Sequence, residues 1–111
     1  MAMVYKILGQ KSPAATTDFN LYTVSGSKQA IINCITIANR DSADAATYQI
    51  SVRPDGATKT TDHYIAYNVQ IGANSSTALN LGITLDTNDV ITVQSSTALV
   101  TFHAYGVEID V

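Results

Sequence analysis

Charged residues are scarce in this sequence, and cations are the scarcer sign. Only 14% of the residues are charged, with 6 Lys or Arg against 9 Asp or Glu, and the formal net charge is −3. A protein that binds the nucleic-acid backbone needs a basic stripe that releases counterions. The cationic residues are scattered along the chain and form no such stripe, so we predict no nucleic-acid partner.

Cysteine occurs once, and tryptophan does not occur. The single Cys34 excludes an internal disulfide and a cysteine-based zinc framework. It lies in the apolar run QAIINCITIA, where we expect a small buried side chain. No apolar run approaches the roughly 20 residues that span a membrane. No basic segment followed by an apolar one opens the sequence, so we expect no signal peptide, no membrane partner and synthesis in a cytoplasm.

Catalytic motifs are also missing. The sequence has no Gly-x-Ser-x-Gly elbow, phosphate-binding glycine loop, His-Glu-x-x-His helix or Cys-x-x-Cys pair. Glu108 is the only glutamate, and most aspartates fall in predicted turns, where water keeps them ordinary acids. His63 and His103 lie in separate predicted strands. We therefore predict no enzyme activity, no cofactor and no catalytic residue.

Alternation of apolar and polar residues dominates what is present. Tyr48, Ile50 and Val52 share one parity in ATYQISV, which is typical of a strand with one buried side. Similar patterns predict strands at 3–8, 21–24, 29–38, 46–52, 63–71, on both sides of 86–89, and at 99–111. The nearly continuous apolar run at 29–38 predicts a central strand covered on both faces. No segment shows helical spacing.

Polar turns separate these strands, as in Arg53-Pro54-Asp55-Gly56 and at 25–27, 39–44 and 72–76. Roughly seven to nine short strands with such turns predict an all-β, antiparallel β-sandwich, immunoglobulin-like or jelly-roll, with almost no helix. We expect one sandwich domain at 18–111, preceded at 1–17 by an N-terminal arm or edge strand.

The stretch Asp86-Thr87-Asn88-Asp89 lies between two apolar runs, and it has two interpretations, a cation site or a turn. Asp86 and Asp89 are weak candidates for a cation site. Calcium, however, needs six to eight oxygens and a regular spacing of acids that this stretch lacks. Asn and Asp also favour turns because their side chains bond their own backbone. We predict a hairpin turn and no metal.

Tyrosine outnumbers phenylalanine by 6 to 2, which suits surfaces where a ring is buried and its hydroxyl stays wet. Tyr64 and Tyr67 have opposite parity in HYIAYN, so we expect one to face inward and the other outward. By the same parity argument His103 shares a face with Tyr105 and Val107. We predict contact surfaces on Met3–Leu8 and on the exposed parity of Thr101–Ile109. The side chains that we name as partner contacts are Met3, Val4, Tyr5, Tyr64, Tyr67, His103 and Tyr105.

Three segments carry a resemblance to a known class of proteins. They are VYKILGQKSPAATT at the start, LNLGITLDTNDVITVQSS with its polar turn between alternating runs, and TFHAYGVEI near the end. Together they resemble small all-β virion structural proteins of tailed bacteriophages, particularly phages of cyanobacterial and other aquatic hosts. The resemblance implies a β module displayed on a virion, with no cofactor and no catalytic residue.

Within that class we expect a capsid decoration or cement protein that braces capsid subunits. Its expected partners are the major capsid protein or other virion proteins, and further copies of itself, with a homotrimer on a shell axis as one arrangement. Assembly would take place in the host cytoplasm. The alternatives are a tail, collar, baseplate or fibre-associated module, and a receptor- or glycan-binding adhesin domain.

Overall fold

The structure is a computed structural model that describes residues 2–111. It contains nine strands: β1 (Met3–Lys11), β2 (Phe19–Thr23), β3 (Lys28–Asn39), β4 (Ala46–Arg53), β5 (Tyr64–Ile71), β6 (Ser76–Leu79), β7 (Ile83–Leu85), β8 (Val90–Ser95) and β9 (Val100–Asp110). Two single-turn 3-10 helices, Pro54–Gly56 and Thr61–His63, are the only helical elements in the described chain. The predicted all-β antiparallel sandwich is confirmed.

The nine strands form two antiparallel sheets in a nested order. Sheet I has the order β1-β9-β3-β6, with β7 also paired to β3, and sheet II has the order β2-β8-β4-β5. The first strand thus pairs with the last, β2 with β8, β3 with β6 and β7, and β4 with β5. This is one long hairpin rolled into two layers, which is the jelly-roll arrangement.

Strand β3 lies at the centre of sheet I, and a bulge changes its inward parity. Ala30 and Ile32 are buried before the bulge, and Ile35 and Ile37 are buried after it. The bulge lies at Asn33, where the register with β9 shifts. A continuous apolar run is thus an alternating strand whose parity changes once. The predicted central position is correct, but the predicted cover on both faces is wrong, because Asn33 is exposed.

The partner strand of β3 is broken opposite this bulge. β6 pairs with the later half of β3 and β7 with the earlier half, so the two short strands follow a single line. Gly82, in the gap between them, has a φ of 58°, which glycine adopts without strain. β6 was not predicted, because its residues, STAL, carry no clear alternation.

The core lies between the sheets and is almost entirely aliphatic. The largest side chains with no exposed surface are those of Phe102 and of five isoleucines and three valines, Ile32, Ile35, Ile37, Ile50, Ile91, Val24, Val93 and Val100. The ring of Tyr48 meets Phe102 edge to face at 6.3 Å between centroids. Cys34, predicted to be buried in this core, is instead half-buried, and its Cα partner is Tyr105 on the outer side of sheet I.

The stretch from Asp86 to Asp89 is a turn, but the predicted hairpin is wrong. β7 before it belongs to sheet I and β8 after it belongs to sheet II, so the stretch is a corner between the sheets. Its backbone is tied to Val24, whose N–H donates to the Asp89 carbonyl at 3.0 Å and whose carbonyl accepts from the Asn88 N–H at 2.9 Å. A hairpin and a corner use the same turn residues, so the local sequence cannot separate them.

Candidate interaction faces

The outer side of sheet I carries a surface that we call the apolar face. Residues directly opposite each other in an antiparallel ladder point to the same side, so the register assigns the members of each row. Four rows cross β1, β9 and β3, and two of them reach β6 or β7. The first row is Met3, Ile109 and Gln29, and the second is Tyr5, Val107, Ile31 and Thr84. The third row is Ile7, Tyr105 and Cys34, and the fourth is Gln10, His103, Thr36 and Ala78. No Asp, Glu, Lys or Arg occurs in these rows.

Large apolar side chains of this face are open to solvent. Tyr5 is 74% exposed, Met3 54% and Ile7 53%. Val107, in contrast, is only 5% exposed although it does not belong to the core cluster between the sheets. Its neighbours on the apolar face therefore cover it, which makes these side chains a packed patch rather than isolated exposed residues.

His103 and Tyr105 lie side by side on the apolar face, as parity predicts. Their rings stack at 6.1 Å between centroids with an interplanar angle of 27°. The Gln10 amide lies 3.0 Å from His103 Nδ1, and the Tyr105 hydroxyl lies 3.4 Å from Thr36 Oγ1. These contacts fix the positions of both rings on the apolar face.

A hollow of about 390 Å³ opens at the end of the apolar face near the corner. Ile31, Ile109 and Thr84 line one side of it, and Asp86 and Asp89 line the other. The hollow places the two carboxylates of the weak cation candidate at the rim of an otherwise uncharged surface.

Backbone N–H groups occupy most of the oxygens of these two carboxylates. Asp89 Oδ1 accepts from the Asp55 N–H, and its Oδ2 accepts from the Asp86 N–H, both at 2.8 Å. Asp86 Oδ1 accepts from the Thr87 N–H at 2.8 Å and from the Gln29 amide at 3.2 Å. Within residues 2–111 no cluster of three His, Cys, Asp or Glu side chains is placed to hold a metal ion.

The inner side of β1 is held by a charged cluster at the edge of the sandwich. Glu108 Oε2 accepts from the Tyr22 hydroxyl at 2.6 Å, and Glu108 Oε1 pairs with Lys6 Nζ at 2.8 Å. The hydrogen bond from Lys6 and, to a smaller extent, the one from Tyr22 hold the pKa of Glu108 below its ordinary value. Burial, with Glu108 close by, raises the pKa of Tyr22. Val4 lies opposite Glu108 and so points away from the apolar face.

The outer side of sheet II carries what we call the polar face. Its members, read from the register, are Asn20, Thr23, Thr47, Gln49, Ser51, Arg53, Tyr64, Gln70, Val90, Thr92 and Gln94. Arg53 is its centre: its guanidinium donates to Thr92 Oγ1 at 3.0 Å, to Asn20 Oδ1 at 3.0 Å and to the Ala57 carbonyl at 2.9 Å. The polar groups of this face are therefore largely bonded to one another.

Tyr64 and Tyr67 meet at the β5 edge of sheet II, and the prediction that they face opposite ways is wrong. Their rings touch edge to face at 4.8 Å between centroids. An irregular register in β5, with Asn68 at a φ of 50°, brings both rings together. Lys59 Nζ lies 5.2 Å from the Tyr64 ring centroid. The two rings and Thr61 line an open hollow of about 450 Å³.

The structure therefore brings four of the seven predicted contact residues together, namely Met3, Tyr5, His103 and Tyr105. The Tyr64–Tyr67 pair lies on the other sheet, and Val4 points inward. Ile7 and Ile109 complete the patch. They are not among the seven named side chains, but both lie in the two segments predicted to form contact surfaces. The signal was available, because Ile7 continues the parity of Met3 and Tyr5.

Comparisons of the fold find proteins of viral particles among the similar structures. The chain resembles a protein of the infectious bursal disease virus (IBDV) particle with T13 symmetry, with 11% identity, 96% of this chain and 30% of that chain covered, and a TM-score of 0.56. The protein of the infectious bursal disease virus Gx strain gives 10% identity, coverage of 96% and 31%, and a TM-score of 0.50. A protein of the capsid of Helicobacter pylori bacteriophage KHP30 gives 13% identity, covers 99% of this chain and 98% of that chain, and has a TM-score of 0.47.

At such identities the likeness concerns the fold, and the chain spans less than a third of the length of the two bursal disease virus proteins. No protein-family model matches the sequence, and no curated protein matches it. No helix within residues 2–111 has the length and apolar character needed to cross a bilayer. The chain is thus a jelly-roll sandwich whose architecture is also found in proteins of viral particles.

Proposed function

We propose that this chain is a non-enzymatic virion structural protein, a decoration or cement protein that braces capsid subunits through its apolar face. The observation that carries the proposal is the contrast in surface chemistry: four uncharged rows with exposed Met3, Tyr5 and Ile7 lie side by side on one outer side of the sandwich. An exposed apolar patch of this kind marks an interaction site.

The fold supports the same proposal at a coarser level. Jelly rolls recur in viral capsid domains, although they also occur in lectins and cupins. The match to the T13 viral particle protein covers nearly the whole of this chain. Because one fold hosts many functions, the fold raises the expectation of a virion protein, and the apolar face supplies the reason for a docking role.

Docking of this face would stabilise a shell by mass action. A protein that binds only the assembled state lowers the free energy of that state. Burial of the apolar face removes hydrocarbon from water, and few charges need to lose their hydration. We therefore expect the partner, the major capsid protein or another virion protein, to offer an uncharged, apolar shelf, while the polar face stays in water.

The test compares one charge on each face. Thr84→Lys places an ammonium on the apolar face beside Ile31, and Gln70→Lys places one on the polar face; both sites are exposed strand residues. Purified variants are added to virions stripped of the protein, and bound copies per particle are counted by quantitative mass spectrometry and particle reconstruction. We expect Thr84→Lys to lower occupancy at least about tenfold. Docking would take the new ammonium out of water, and pairing with Asp86 or Asp89 in the same hollow offsets that cost only in part.

Gln70→Lys is expected to bind like the native chain. Equal occupancy of both variants, with native circular dichroism, would show that the apolar face does not contact the shell. Copy number in the same reconstruction separates the alternatives: shell proteins occur in hundreds of copies, whereas tail, collar, baseplate or fibre modules occur in tens or fewer.

A second candidate function, glycan binding by an adhesin domain, is favoured by the Tyr64–Tyr67 corner. Two perpendicular rings with an open hollow, and the Gln49 and Asn68 amides on the same strand pair, offer a stacking surface beside hydrogen-bonding groups. A glycan array probed with the native chain and with Tyr67→Ala decides this candidate. Binding that Tyr67→Ala abolishes would support it, and a blank array would remove it.

A further inference from the structure

The open edge of β1 has a defined backbone orientation. The Asp110 N–H donates to the Ala2 carbonyl at 2.9 Å, which makes these two residues a hydrogen-bonded pair of the antiparallel ladder. Since hydrogen-bonded and non-hydrogen-bonded pairs alternate, Val4 and Lys6 also direct their backbone groups towards β9.

Met3, Tyr5 and Ile7 consequently direct their N–H and C=O groups away from β9, towards the open edge of the sheet. The same three residues carry the most exposed large apolar side chains of the apolar face. Within residues 2–111, this stretch of β1 offers both a backbone ladder without a partner and apolar side chains, which is the combination that accepts an added strand.

We propose that β1 pairs antiparallel with β1 of a second copy of this chain, about a two-fold axis at Tyr5. In this register Tyr5 lies opposite the second copy's Tyr5, and Met3 lies opposite the second copy's Ile7. All three outward backbone pairs are satisfied, and the exposed apolar side chains of each copy lie against their equivalents. The surface is self-complementary, as a two-fold interface requires.

The charges near the edge select this register. Lys6 lies opposite Val4 of the second copy, and its ammonium already pairs with Glu108 of its own chain at 2.8 Å. A register centred on Lys6 would set two ammonium groups opposite each other, which is destabilising. A register centred on Val4 would set Ile7 opposite a residue that precedes β1, which begins at Met3. Of these three registers, the one centred on Tyr5 satisfies all three outward residues within β1 and opposes no like charges.

The pairing joins the two copies of sheet I into one continuous sheet. A two-fold axis perpendicular to a sheet keeps both outer sides on the same side, so the two apolar faces become contiguous. This inference concerns the chain itself and does not depend on the virion role. It also closes after two copies, so the trimer expected from the sequence would need a different surface.

Cysteine cross-linking tests the register directly in the full chain, with Cys34→Ser removing the only native thiol. Tyr5→Cys places two thiols opposite each other across the axis, where Cα atoms about 5.5 Å apart suit a disulfide. Val4→Cys, the matched control on the neighbouring exposed residue, faces Lys6 and not itself. Met3→Cys and Ile7→Cys should cross-link when mixed and not when alone.

Under mild oxidation we expect Tyr5→Cys to give about tenfold more covalent dimer than Val4→Cys, since only the former brings its thiols within disulfide reach. Similar yields at positions 3, 4, 5 and 7 would indicate random collision and overturn the proposal. So would the absence of dimer from Tyr5→Cys together with the absence of the mixed product.

Sedimentation of uncross-linked protein gives an independent measurement. Tyr5→Pro removes an N–H that faces the open edge and leaves the β9 ladder intact, whereas Tyr5→Thr keeps that N–H. We expect a native dimer, a monomer for Tyr5→Pro and a weaker dimer for Tyr5→Thr. A native chain that stays monomeric at all concentrations would refute self-pairing, and an extended segment of another protein would then be the expected occupant of the edge. A Tyr5→Pro dimer of native affinity would also refute self-pairing.

Discussion

The two outer sides of this sandwich are made by the same alternation and yet differ in chemistry. On the polar face, hydrogen bonds join the side chains of Arg53, Thr92 and Asn20 to one another. On the apolar face, Tyr5 and Ile7 contact little within the chain and stay open. The difference teaches that one side is completed by the fold itself, while the other needs a second surface to be completed.

The variant with the largest expected effect on stability changes β9, the strand that lies between β1 and β3 in sheet I. Gly106 lies where β9 passes the bulge in β3, and a Cβ there would lie 1.9 Å from the Ile31 carbonyl oxygen. We expect Gly106→Ala to lower the free energy of unfolding by about 3 kcal/mol, because the backbone of β3 must move. Urea denaturation measures it. Gly26→Ala is the control, since no atom of the described residues, apart from its two chain neighbours, lies within 4 Å of its Cβ position.

A destabilisation below that of Gly26→Ala would show that the bulge is soft. The apolar face would then not be a rigid docking surface, because Ile31 is one of its members.

Two alanine variants measure how much a side chain of each face contributes to the free energy of unfolding. Arg53→Ala removes hydrogen bonds to Thr92, Asn20 and the Ala57 carbonyl, and we expect it to cost about 1–2 kcal/mol of unfolding free energy. Tyr5→Ala removes a ring that is 74% exposed, and we expect a change within about 0.5 kcal/mol. Thermal and urea unfolding at a concentration where the chain is monomeric provide both values, and the reverse ranking would contradict the contrast.

The smallest expected effect lies at the inner edge of β1 and depends on pH. The depressed pKa of Glu108 means that its contribution to stability is complete above its ordinary value of 4.5 and is lost as the pH falls through the lower folded-state pKa. Glu108→Gln should therefore be less stable than the native chain above pH 4.5, and the gap should narrow on acidification. Urea unfolding from about pH 6 to pH 3 measures the gap.

Asp62→Asn serves as the control, because Asp62 makes no ion pair within the described chain. A gap between Glu108→Gln and the native chain that stays constant with pH would show that the Lys6–Glu108–Tyr22 cluster is not the acid-sensitive tie of β1.

The alternation of residues was sufficient to predict the sandwich, because one buried side per strand leaves a period of two in the sequence. It was not sufficient where a strand bulges. Asn33 shifts the parity of β3, and the irregular register around Asn68 brings Tyr64 and Tyr67 to one place. A bulge adds one residue and leaves no compositional mark, so the parity beyond it cannot be read from the sequence.

The apolar face was half predictable for a related reason. Met3, Tyr5, His103 and Tyr105 could be chosen by residue type and parity. That they lie together depends on β1 pairing with β9, a contact across almost the whole chain. The corner at Asp86–Asp89 shows the same limit, since its turn chemistry was visible but the sheet entered by β8 was not.

The pairing of Ala2 with Asp110 sets how this module would respond to mechanical load. Both ends of the described chain emerge side by side from one corner of sheet I. Force that drew these ends apart would break the β1–β9 ladder one pair at a time, in a peeling mode that needs little force. Force along the strands would instead load every hydrogen bond of the ladder at once, so a pull that separates these two ends meets less resistance than a pull along the strands.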